Sequence, residues 1–190
     1  MKVEQFVVAY GVEQDRLRAI LPEGYISLRP VLRINAEIYN DSCGYVEFNT
    51  AVQKDENKGW LNIGSWNNIP FERVGKTVVL KTDFLEISFT DTGIMGSCPA
   101  EKDNVGCYFI GKEEILRKPE IITANKKFCD CTFRWKFTDN DASGKSIGKT
   151  LPAIPTEIKK NYPRADFTVE NAAHIPCEQV LGTYKVTFDR

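Results

Sequence analysis

"RPVLRINAEIYNDSCGYVEFNTAVQ", residues 29–53, decides the fold. Leu32, Ile34, Ala36 and Ile38 fall on one parity, and Arg33, Asn35, Glu37 and Tyr39 on the other. Alternation over that length is the period of a β-strand, whose successive side chains point to opposite faces. "NDSCG", residues 40–44, has turn composition. Beyond it, Val46, Phe48, Thr50 and Val52 oppose Tyr45, Glu47, Asn49 and Ala51. The stretch predicts two consecutive antiparallel strands, each with an apolar and a polar face.

Outward from this hairpin the pattern stays β-rich. "EQFVVAY", residues 4–10, predicts a buried strand, and "QVLGTYKVTFDR", residues 179–190, predicts another. "WLNIGSW" at 60–66 follows an "ENKG" turn, and "KTVVLKTDFLEISFTDTG" at 76–93 has room for two strands or one bent strand. "KKFCDCTFRWKFTDND" at 126–141 alternates again. Helical spacing occurs in "VEQDRLRAILPEG", where Leu17, Ile20 and Leu21 stand at i, i+3 and i+4 before Pro22 and Gly24 stop the run. "GKEEILRKPE" at 111–120 predicts a short helix closed by Pro119, and "TEIKKNYPRA" at 156–165 a short helix or loop. "NDASGKSIGKT" at 140–150 predicts a polar loop. No regular alternation of strand and helix is present. The expected class is mainly β: an antiparallel curved sheet, or a closed barrel or sandwich, with two or three short helices.

The 190 residues are enough for one domain with a core that needs no disulfide. A net charge of −1 speaks against nucleic acid or an anionic membrane as partner. No apolar run approaches the roughly 20 residues of a membrane span, and the opening segment has too short an apolar run for a secretory signal. The expected location is therefore cytoplasmic, with the six cysteines as thiols.

Chemistry-bearing motifs are few. Cys129 and Cys131 form a Cys-x-Cys pair, not the spacing of a zinc knuckle, and share a parity with Phe133 and Trp135. They are expected in the core, and no metal is expected. His174 is the one histidine, three residues from Cys177 with Pro176 between, poor geometry for a thiol–imidazole pair. Gly144 and Gly148 are separated by three residues, one short of a phosphate-binding loop. No cofactor is expected. The polar parity of the hairpin is richer: Arg33, Asn35, Glu37, Glu47 and Asn49. Alternation leaves it either a solvated sheet face or the lining of an internal cavity for a small ligand.

The order of features over residues 6–52, with "AILPEG" at 19–24 and "YVE" at 45–47, resembles the N-terminal half of the acetoacetate decarboxylase family. The closing "ENAAHIPCEQVLGTYKVTFD" loosely resembles that family's last segment. The resemblance covers roughly half the chain. It implies a mainly antiparallel β fold around an internal cavity, a homo-oligomer, and a small keto acid or other carbonyl or carboxylate compound as ligand. The family's enzyme forms a Schiff base between a lysine and the keto group, which requires a lysine of lowered pKa. The family's Tyr-x-Glu glutamate falls on Glu47, and its preceding acidic position near Asn35 or Glu37. Its guiding arginine falls near Lys2 or Val3 and is absent. Its Pro-Lys-Lys falls on "IPFERVGK", residues 69–76, where no lysine pair stands.

A true acetoacetate decarboxylase is therefore not expected. The amines left are Lys76, at a strand entrance, and Lys81, which is buried only if the parity of Thr77, Val79 and Asp83 points inward. Arg73, next to Glu72, is expected to pair with it and to stand near the ligand. The expected catalytic residues are Glu47, Lys81 and Lys76, and the expected ligand-binding residues Arg33, Asn35, Glu37, Asn49 and Arg73. Any catalysis would be of the lyase type. Two further possibilities stand beside this: a non-catalytic ligand-binding or oligomeric scaffold protein on the same fold, and a lipocalin-like barrel with the apolar parity facing its lumen.

Overall fold

The computed structural model describes residues 1–99, 108–110, 116–117, 120, 122–136, 141–145 and 162–190. Its elements are β1 (Lys2–Gly11), α1 (Gln14–Ile20), β2 (Tyr25–Tyr39), β3 (Cys43–Lys54), β4 (Asn57–Ile69), β5 (Phe71–Val74), β6 (Thr77–Lys81), β7 (Leu85–Pro99), β8 (Tyr108–Ile110), β9 (Leu116–Arg117), β10 (Asn125–Trp135), β11 (Asp141–Lys145), α2 (Val169–Ala173) and β12 (Gln179–Asp189). They form one sheet in the order β5-β6-β7-β10-β12-β1-β2-β3-β4-β8-β9, with β11 beside β10. The β4–β8 pairing is parallel and the others are antiparallel.

The β2–β3 hairpin forms where the alternation places it. Asn40 and Asp41 make its turn with φ of 47° and 56°, a left-handed conformation that these two residue types tolerate best after glycine. Ile34 lies opposite Phe48 and Asn35 opposite Glu47, so like faces meet like.

Ring contacts show that the sheet curls. Phe48 on β3 and Trp135 on β10 are four places apart in strand order. In a flat sheet that is about 19 Å, at roughly 4.8 Å per strand. Their ring centroids are 4.9 Å apart. Phe6 on β1 and Phe89 on β7, three places apart, approach to 5.1 Å. The face carrying these rings is therefore concave. The chain also joins the two flanks: β4 pairs with β3, and after Pro70 the same segment continues as β5 and pairs with β6.

The concave face is the apolar parity. Leu32, Ile34, Val46 and Phe48 pack there with Val78 and Leu80 of β6, Ile87 and Phe89 of β7, and Cys129, Cys131, Phe133 and Trp135 of β10. Leu17 and Ile20 of α1 and Ala172 and Ala173 of α2 contribute to the same cluster. The interior of the curl is thus a packed core, with Cys129 and Cys131 inside it as the spacing led one to expect.

Three local expectations differ. Leu116–Arg117, inside the expected 111–120 helix, is a strand, and the rest of that helix except Glu120 lies outside the described residues. Asp141–Lys145, expected as loop, pairs with β10. The short helix α2, unpredicted, starts where Thr168 accepts a hydrogen bond from the Asn171 N–H (3.1 Å). The 156–161 part of "TEIKKNYPRA" lies outside the described residues.

Candidate functional site

The polar parity of β2 and β3 is neither solvated nor turned into the curl. It lies on the convex face and is nevertheless buried: Arg33, Asn35 and Glu37 are 3% exposed, Glu47 4% and Asn49 0%. Antiparallel register arranges it in rows across the sheet. Tyr184, Val7, Asn35, Glu47 and Ser65 lie side by side, and the next row is Val186, Gln5, Glu37, Tyr45 and Asn67. On the other side stand Ala9, Arg33, Asn49 and Asn62. The layer grades from apolar at β12 and β1, where Val7, Tyr184 and Val186 pack with Ile122, to polar at β2 and β3. It approaches solvent at β4, where Ser65 and Asn67 are exposed.

Two carboxylates stand in this layer with different partners. The Glu37 carboxylate accepts from Gln5 Nε2 (2.9 Å), from the Tyr39 hydroxyl (2.7 Å), and from both terminal nitrogens of Arg190 (3.0 and 3.1 Å). Arg190 also donates to Glu120 (2.8 and 2.7 Å). Those bonds to Glu120 and Glu37 hold the guanidinium above its ordinary pKa. Burial, and then the adjacent Glu37, raise the Tyr39 phenol.

Glu47 accepts from Asn35 Nδ2 and from the Tyr45 hydroxyl, each at 2.8 Å. Burial and then the Glu47 charge hold the Tyr45 phenol well above its ordinary range, so it stays a donor. No cation pairs with Glu47 among the described residues. Beside it, Asn35 Oδ1 and both side-chain amide atoms of Asn49 are buried with no hydrogen-bond partner among the described residues. The Arg33 guanidinium lies 4.6 Å over the Trp60 ring, next to Asn49 across the strand pair.

Of the expected site residues, the structure brings together Arg33, Asn35, Glu37, Glu47 and Asn49. It does not bring Lys76, Lys81 or Arg73 to them. Val78 and Leu80 take the inward face of β6, which turns Lys81 outward, exposed and 4.0 Å from Glu72. Lys76 is exposed in the β5–β6 turn. Arg73 does not pair with Glu72 as its position in sequence suggested: it binds Glu4 (2.6 Å) and Asp41 (2.8 Å), because the short β5 runs past β1 and the hairpin turn.

Gln5, Tyr39, Tyr45, Trp60 and Arg190 were missed. The tyrosines share the parity of the glutamates and were legible in principle; Arg190 is 153 residues from Glu37 and carries no local signal. Lys126 stands next to Lys127 near the start of β10, a position where a lysine is usually solvated. It is buried, with its ammonium 4.6 Å over the Tyr184 ring at the apolar end of this layer. Among the described residues no group of three or more His, Cys, Asp or Glu side chains could hold a metal ion, and no helix is long and apolar enough to cross a membrane.

No protein-family model and no curated protein sequence matches the chain. Solved structures do. The chain superposes on an acetoacetate decarboxylase from Legionella pneumophila with a TM-score of 0.57 at 14% identity, over 98% of this chain and 81% of that one. An acetoacetate decarboxylase-like enzyme from Sphingomonas wittichii gives 0.51 at 11% identity, over 98% and 88%. The enduracididine biosynthesis enzyme MppR, complexed with pyruvate, gives 0.51 at 10%, over 98% and 84%. The fold is that of the acetoacetate decarboxylase-like enzymes. At these identities the likeness is one of fold alone.

Proposed function

We propose that the protein binds a small keto acid, or a related carbonyl or carboxylate compound, over the polar layer centred on Glu47, and acts on it without a lysine. The observation that carries this is the Asn49 amide, 0% exposed and, among the described residues, unpartnered on both atoms, beside a buried carboxylate that those residues hold only by neutral donors. A buried amide without partners costs about 1–3 kcal/mol, and a bound polar ligand would recover it. Asn49 supplies an N–H for a carbonyl oxygen. Glu47, oriented by Asn35 and Tyr45, takes a proton from the carbon next to that carbonyl and returns it, the acid–base step of enolisation, hydration or dehydration. Iminium decarboxylation is not part of the proposal: the family's lysine pair is absent, and Lys76 and Lys81 lie exposed and away from Glu47.

A panel of α- and β-keto acids tests this by thermal shift, borohydride trapping and α-proton exchange in D2O followed by NMR. The expected result is a raised Tm and α-proton exchange with at least one keto acid, both lost in Glu47→Gln, and no borohydride adduct. A borohydride adduct on any lysine overturns lysine-free chemistry. Binding without exchange, retained in Glu47→Gln, favours the second reading, a non-catalytic binding or scaffold protein. That reading draws on the neighbouring Glu37, whose bidentate pair with Arg190 is of a structural kind. Homo-oligomerisation and a cytoplasmic location belong to the same proposal and are read by sedimentation and fractionation.

A further inference from the structure

A base works repeatedly only if the proton it takes can reach solvent. The Glu47 side chain itself is 4% exposed, and Asn35 and Asn49 beside it are buried as well. Amides donate and accept hydrogen bonds but, unlike a hydroxyl, do not do both at a single atom. Beyond Asn35 the row runs through Val7 to Tyr184, the apolar end of the layer. The other end of the row is open: Ser65 lies opposite Glu47 in the β3–β4 ladder and is exposed.

Two hydroxyls stand between the carboxylate and that opening. The Tyr45 phenol donates to Glu47 Oε2 at 2.8 Å, while Asn35 takes the other oxygen, Oε1. The Ser65 hydroxyl hydrogen-bonds in turn to the Tyr45 phenol. Register explains the triangle: Tyr45 stands two residues from Glu47 on the same face of β3, and Ser65 stands beside Glu47 on β4. Exposure rises along this path, from buried Glu47 through half-buried Tyr45 to exposed Ser65. Each hydroxyl oxygen has one donor and two acceptor positions, so it can receive one proton while it releases another. Burial and the Glu47 charge keep the Tyr45 phenol neutral, so it passes a proton on without storing a negative charge.

We propose that Tyr45 and Ser65 form a proton relay between Glu47 and solvent. This role rests on Glu47 acting as the base of the proposed reaction. Inward, a hydronium ion or buffer acid gives a proton to Ser65 Oγ, the Ser65 proton moves to Tyr45 Oη, and the Tyr45 proton moves to Glu47 Oε2. One O–H bond forms and one breaks at each hydroxyl, and the carboxylate becomes the acid. Outward, the same steps run in reverse and regenerate the carboxylate. Without the relay, a proton taken from the ligand returns to the carbon it left, and no solvent deuterium enters. Both residues act through Glu47, so they govern proton exchange and not ligand affinity.

Ser65→Thr and Ser65→Val test this, because the two introduced side chains have the same shape, differ in the hydroxyl, and both suit an exposed strand position. Exchange of keto-acid α-protons in D2O, followed by NMR, is expected to stay within about twofold of wild type in Ser65→Thr and to fall about tenfold or more in Ser65→Val. The keto-acid thermal shift is expected to be equal in the two. Imidazole, a small diffusible proton carrier, is expected to restore exchange in Ser65→Val in proportion to its concentration. Equal exchange in the two variants, with the wild type active, overturns the relay and leaves the Glu47 reading standing. A loss in Ser65→Val that imidazole does not restore assigns Ser65 a structural role and overturns the relay too. Absence of exchange in the wild type with every keto acid of the panel removes Glu47 as a base, and the relay with it.

Discussion

Glu37 and Glu47 stand on the same face of adjacent strands, equally buried, and the chain treats them differently. Glu37 is saturated by Gln5, Tyr39 and a bidentate arginine. Among the described residues Glu47 has only an amide and a phenol, with unpartnered amide atoms beside it. Burial alone therefore does not mark a working carboxylate; the charge and supply of its partners do. A carboxylate locked by a guanidinium holds structure together, whereas one held by neutral donors keeps its charge available to a ligand.

The sharpest break of this contrast comes from Arg190→Ala, which strands Glu37 without its cation. Removing one partner of a buried pair costs about 3–5 kcal/mol, and the partial exposure of Arg190 lowers that to about 2–3 kcal/mol. Urea denaturation should show the midpoint falling with the m-value unchanged. Asn49→Leu should move the other way, gaining about 1 kcal/mol by removing an unsatisfied buried amide, while the keto-acid thermal shift disappears. A loss of stability there would mean that Asn49 is structural and the two halves of the layer are alike.

Glu47→Gln is expected to cost about 1 kcal/mol, since Asn35 and Tyr45 donate to different oxygens and the amide keeps only one of them, and to abolish α-proton exchange. The smallest effect concerns an ion pair on the other face, Asp91–Lys185, a solvent-reaching counterpart to both glutamates. The hydrogen bond from Lys185 holds the Asp91 carboxyl below its ordinary range. Its stabilisation is therefore complete above the ordinary carboxylate pKa and is lost as pH falls through the lowered value. Asp91→Asn should flatten the acid limb of a Tm–pH profile slightly, and an unchanged limb would show that the pair contributes nothing to acid sensitivity.

The strands of the central hairpin, their two faces and the identity of five layer residues were legible in residues 29–53, because alternation writes sidedness directly into sequence. Burial of the polar side was not, since alternation says which residues share a face and nothing about what covers it. The same limit explains Lys81: its parity was read correctly, and only the packing of Val78 and Leu80 decides that this parity points out. Lys126 carries no sequence signal of its burial, because a lysine at a strand end is usually solvated, whereas here an aromatic ring on the neighbouring strand covers it. Arg190 lay beyond any local pattern. The missing lysine pair, by contrast, needed no structure.

The passage of one chain segment from the edge of β3 to the edge of β6 sets where the curl can breathe. An open sheet can peel at either free edge, but here both flanks are tied through Pro70, which has no N–H to give. Asn68, two residues before it, holds a left-handed φ of 58°. β5 beyond it is four residues long and mostly exposed. Amide hydrogens of β5 and its partner β6 should therefore exchange through local opening, ahead of those of β2 and β3, whose exchange follows global unfolding. The turn carrying Lys76 rides on that hairpin and is expected to open with it, ahead of β2 and β3.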